Sequence, residues 1–114
     1  MQRQYPAQFV RDMGCTEHEW LKWLQAALPD FPWHQARGQA QVPLDVHLDM
    51  PGVSSVLPNE HGVLHLHWKT LPTRQIALMR IPRLQVEFRF EGLSDVARTH
   101  FMRRFDLLTQ RGGG

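Results

Sequence analysis

A chain of 114 residues with 42% hydrophobic and 21% charged residues has the composition of one ordinary globular domain, which excludes a disordered chain and leaves no room for a second independent core. Cys15 is the only cysteine, so the chain can build neither an internal disulfide nor a cysteine-based zinc cluster. The formal net charge of +2 is unevenly spread: residues 1–62 carry 4 basic and 7 acidic groups, residues 63–114 carry 9 and 4, and arginine outnumbers lysine 11 to 2.

The opening Met1-Gln2-Arg3-Gln4-Tyr5-Pro6 holds no apolar run of signal-peptide type, and no later segment is long and apolar enough to span a bilayer, which points to the cytoplasm. A single domain over 1–114 is expected, with flexible ends at about 1–10 and 112–114. Thr16 and Glu19 have the spacing of a capping box and start a helix, whose apolar stripe is Trp20, Trp23, Leu24, Ala27 and Leu28 and whose end is set by Pro29. Residues 29–38, with Pro29, Pro32 and Gly38, read as a loop pinned by Phe31 and Trp33.

Four strands should follow. Val42, Leu44, Val46 and Leu48 alternate with polar residues, and Pro43 suggests a sheet edge. Leu64, Leu66 and Trp68 define one dry strand face, with His65, His67 and Lys69 on the other. Ile76–Ile81 has no polar face over its first four residues and reads as a strand buried, at least partly, on both sides. Leu84, Val86, Phe88 and Phe90 alternate with Gln85, Glu87, Arg89 and Glu91. Ser94-Asp95 then opens a final helix to about Arg111, with Ala97, Phe101, Phe105 and Leu108 inward and Gly112 as the residue just past its end. The expected fold is α+β, a two-layer sandwich: a mainly antiparallel four-stranded sheet with an N-terminal and a C-terminal helix on one face, in the order α-β-β-β-β-α.

Three residue sets are candidates for function. His65 and His67 share a strand face and, with His47 and Asp45 from a neighbouring strand, have the residue types of a metal site; alternating polar residues on a solvated sheet face explain the same pattern. Arg98, Arg103 and Arg104 of the last helix, with Arg83, Arg89 and Arg111 nearby in sequence, form a potential anion or nucleic-acid patch, although Trp68, Phe88 and Phe90 face inward and leave no exposed aromatics for base stacking. Ala77, Met79 and Ile81, the second face of the third strand, need a cover, either a second copy or other protein partner, or the loop carrying Val53, Val56 and Leu57.

The terminal Arg111-Gly112-Gly113-Gly114 resembles the Arg-Gly-Gly tails of ubiquitin-like proteins and the Gly-Gly tails of sulfur carriers, but those tails leave a strand of a β-grasp fold, whereas this one leaves a helix. Cys15 precedes a helix, with no base identifiable beside it. The pattern therefore favours a small non-enzymatic binding or protein-interaction module without cofactor, a homodimer being the default geometry and a membrane role excluded. The alternatives are a metal-binding protein or small enzyme using the histidine face and, less favoured, a nucleic-acid binder using the C-terminal arginines.

Overall fold

The structure is a computed structural model that describes residues 5–28, 34–46 and 60–110. Its elements are β1 (Gln8–Met13), α1 (Glu17–Ala27), β2 (His34–Ala36), β3 (Gln39–Val46), β4 (Glu60–Ile76), β5 (Met79–Glu91) and α2 (Asp95–Gln110). From α1 onward the order is α-β-β-β-β-α, and the two helices cover one face of an open antiparallel sheet, a two-layer α+β sandwich. The sheet runs β1-β5-β4-β3-β2, so the N-terminal segment adds a fifth strand along β5.

The dry face follows from period-2 alternation. Val42, Leu44 and Val46 of β3, Leu64, Leu66 and Trp68 of β4, and Leu84, Val86, Phe88 and Phe90 of β5 all point into the core. Trp20 and Leu24 of α1 meet Ala97, Phe101, Met102 and Phe105 of α2 above them. Trp20 lies edge-on to Trp68, Phe88 and Phe105 at centroid separations of 6.0, 6.3 and 6.3 Å, a geometry that aromatic quadrupoles favour.

Local chemistry sets where the helices begin. At α1 the Glu19 backbone N–H donates to Thr16 Oγ1 at 3.2 Å, and the Thr16 N–H donates to Glu19 Oε1 at 3.0 Å, which completes the expected capping box. At α2 the Ala97 N–H donates to Ser94 Oγ at 3.3 Å, while the Ser94 N–H and hydroxyl donate to Glu60 at 2.8 and 2.6 Å. The first residue of β4 thus fixes the start of the last helix. A Cβ on Gly62 would run into the Glu91 carbonyl and the Leu93 side chain, so the chain turning into α2 passes close over β4 only because Gly62 has none.

Three segments differ from the sequence expectation. His34–Ala36, expected within a loop, is the edge strand β2, so β3 with its Pro43 lies between β2 and β4 in the sheet order and is not the edge. β1 was hidden because Arg11 occupies a dry-face position between Phe9 and Met13; its guanidinium is satisfied there by Asp106 of α2 at 2.6 and 3.0 Å and lies 5.4 Å from the Phe9 and Phe88 ring centroids. The expected third strand, Ile76–Ile81, is instead the end of β4, a two-residue turn and the start of β5. An apolar run has the same composition in a covered strand and at an uncovered tip. His47 and the loop with Val53, Val56 and Leu57 lie outside the described residues, as does the glycine tail.

The hydrogen bonds from Ser94 hold the Glu60 carboxyl below the usual glutamate range. A carboxyl whose folded value is depressed stabilises the fold above its unfolded value, 4.5, and loses that contribution as pH falls through the folded value. Glu60→Gln should therefore lower unfolding free energy at neutral pH by about 0.5–1 kcal/mol, a small figure because the site is solvent-screened, and the difference from wild type should close in acid. Urea unfolding at pH 7 and pH 3 checks this; an equal deficit at both would rule out the ionised bond as its source.

Candidate functional site

The helices are shorter than the strands beneath them. At ~3.3 Å per residue the 17 residues of β4 extend ~56 Å, whereas 11 and 16 helical residues at ~1.5 Å span only ~16 and ~24 Å. The longest dimension of the molecule, 56 Å, agrees with the strand length. β1 accompanies β5 only as far as Leu84, and β3 accompanies β4 only to His67, with one further bond from the Trp68 N–H to the Gly38 carbonyl. Beyond Lys69 and Arg83 the two long strands continue as a hairpin arm that no other described strand pairs with.

The arm ends in apolar residues that cover nothing. Ile76 pairs with Met79 across a two-residue turn in which Ala77 has φ 54°, a position where glycine is usual. Leu78 is 100% exposed, Met79 65% and Ile76 48%. Arg74 faces Ile81 and Gln75 faces Arg80, so Arg74, Ile76, Met79 and Ile81 share one side of the ribbon and Arg80 takes the other. The strand register slips between Leu71 and Arg74, around Pro72, and Pro82 lies on the opposite strand. Proline has no N–H to donate, so both strands of the arm carry an interruption that discourages a further strand from adding at the edge.

The arm is also cationic. No Asp or Glu occurs between His61 and Val86, a stretch that includes Lys69, Arg74, Arg80 and Arg83. Arg83 donates to Asp12 at 2.6 Å, which raises the guanidinium's value and lowers that of the carboxyl. Lys69, Arg74 and Arg80 form no ion pair among the described residues.

The other candidates are placed differently. His65 and His67 do face the open side of the sheet, but each leans on its own glutamate: His65 Nε2 is 3.5 Å from Glu91 and His67 Nδ1 is 3.6 Å from Glu87. The Gln41 side-chain amide nitrogen lies 3.4 Å from His65 Nδ1. Among the described residues no three His, Cys, Asp or Glu side chains group as a metal site. Arg98 is used inside the fold, donating to the Tyr5 and Leu93 carbonyls at 3.0 and 2.7 Å and to Asp95, whereas Arg103 and Arg104 are exposed on α2. Burial, with Glu19 nearby, pushes the Cys15 thiol up to about 11, so at neutral pH it is protonated and a poor nucleophile.

Of the three residues expected to need a cover, Met79 and Ile81 lie along the arm and Ala77 in its turn. Sequence reasoning missed Arg74, Ile76, Leu78 and Arg80 as parts of one surface; the signals were the prolines at 72 and 82 flanking a short apolar run, and the missing acids. No known protein family, curated protein or solved structure matches this chain. No helix among the described residues is long and apolar enough to cross a membrane.

If the tip does nothing for the fold, Leu78→Ser with Met79→Thr should leave unfolding free energy within ~0.5 kcal/mol of wild type. Leu66→Ala, which empties a fully buried position, should lower it by ~2–5 kcal/mol. Urea titration of the three proteins makes the comparison, and a large loss in the tip variant would mean that the arm folds back onto the body.

Proposed function

We propose that this chain is a non-enzymatic interaction module whose contact surface is the hairpin arm and whose partner carries negative charge. The observation that carries this reading is the tip itself: a fully exposed Leu78 between Ile76 and Met79, on a ribbon without acids whose Lys69, Arg74 and Arg80 have no ion-pair partner among the described residues. Exposed apolar side chains of this size contribute nothing to folding by burial, since that stabilisation requires removing their surface from water. A two-stranded ribbon is also marginal by itself in water, and a partner supplies the missing third surface. A protonated, buried thiol brings no nucleophilic chemistry. It also suits a reducing compartment, and the cytoplasm is the proposed location.

The test is retention on immobilised heparin, a generic polyanion. Arg74→Gln with Arg80→Gln should elute at clearly lower salt than wild type, while Arg103→Gln with Arg104→Gln should elute close to it. All four arginines are exposed, so both variants should keep the wild-type fold. Retention lost only in the helix variant would move the contact surface to α2, and a wild-type protein that is not retained would remove the anionic partner altogether.

A further inference from the structure

We infer that the partner is double-stranded DNA, with the arm laid in a groove, Arg74 and Arg80 on the phosphates of opposite strands, and Leu78 and Met79 against the base-pair edges. This rests on the arm being the contact surface.

The arm's geometry separates DNA from other anionic partners. Arg74 and Arg80 sit at neighbouring rungs of the ribbon but on opposite sides of it, because Arg74 pairs with Ile81 while Arg80 pairs with Gln75. Positive charge on both sides suits a slot with two negative walls, which a nucleic-acid groove provides and a flat bilayer or a single acidic patch does not. B-DNA's major groove, about 12 Å wide, admits a two-stranded ribbon, and apolar side chains gain there from the thymine methyl group. Where such residues enter the minor groove they act as wedges at base steps.

A membrane-inserting tip would be expected to carry interfacial tryptophan or tyrosine, and the arm has no aromatic residue between Trp68 and Phe88. Strand addition by a second copy meets Pro72 and Pro82, and it would also bring the arm's cations together. Arginine in preference to lysine near the tip fits bidentate phosphate recognition. Lys69, at the base of the arm, supplies a third phosphate contact.

The experiment is fluorescence anisotropy of a short labelled DNA duplex titrated with the whole chain over a range of salt. Three phosphate contacts give a slope of log K against log salt of about −2.7, or about 40-fold weaker binding between about 50 and about 200 mM salt. Arg74→Gln with Arg80→Gln should reduce that slope by about 2. Leu78→Ser with Met79→Thr should weaken binding several-fold at unchanged slope, a split that a purely electrostatic or purely structural arm would not give.

Absence of duplex binding at low salt overturns the inference, as does a slope that responds to Arg103 and Arg104 but not to Arg74 and Arg80. Tip-dependent binding to phosphatidylserine vesicles without duplex binding, or a concentration-dependent dimer lost in the tip variant, would overturn it in favour of a membrane or a second copy. If heparin retention depends on the arm but duplex binding fails, only the choice of DNA falls; if retention ignores the arm, the interaction reading falls with it.

Discussion

The structure depends on a mismatch of lengths. Two helices of 11 and 16 residues cover a sheet whose central strands run to 17 and 13 residues, and one residue of strand advances the chain more than twice as far as one residue of helix. Cover therefore ends before the strands do. Inside the covered region, alternation sorts every second side chain into a dry interior built around Trp20 and Phe88. Outside it the described residues form no interior, and Ile76, Leu78 and Met79 remain exposed although their chemistry is that of core residues. The prolines and cations of the arm are consistent with this exposure, since they make a bare ribbon less prone to edge-to-edge aggregation.

A second constraint acts at the edge of the sheet formed by β1. β1 is held to the layer above by a charged side chain, because Arg11 faces inward and meets Asp106 of α2, which also accepts from the Tyr5 hydroxyl at 2.8 Å. The guanidinium is favoured in its charged form by that carboxylate and shielded by the rings of Tyr5, Phe9 and Phe88. The N-terminal strand and the C-terminal helix are thus joined across almost the whole length of the chain by one partly buried ion pair. Truncating either partner of such a pair leaves the other poorly compensated, so this contact is more sensitive than an exposed pair such as Arg89 with Glu91.

Much of the fold was legible in local pattern. The alternation from Leu84 to Phe90 is the buried face of β5, the histidines at 65 and 67 take the open face, and the threonine–glutamate spacing is a formed capping box. These follow from period-2 and period-3.6 geometry and from backbone donors that lack partners, all of which act within a few residues. β1 was not legible, because an inward arginine breaks the apolar–polar alternation and only Asp106, 95 residues away, makes that position tolerable. Nor was the fate of Arg98: its sequence neighbours suggest an exposed cation, whereas the carbonyls of Tyr5 and Leu93 draw it into the fold.

The sequence by itself determined which side chains want water, where backbone hydrogen bonding begins and ends, and hence a two-layer α+β domain with helices over one sheet face. What only the tertiary structure decided is where the cover stops. Ile76–Met79 is apolar in either case, and nothing within that run distinguishes a strand buried on both faces from the tip of a ribbon. The difference lies in what stands opposite, which is set by the lengths of helices distant in sequence and by β1 pairing with β5 only as far as Leu84 and β3 pairing with β4 only as far as His67. Burial is a property of pairs of surfaces, so the candidate contact surface became visible only when the missing partner surfaces could be located.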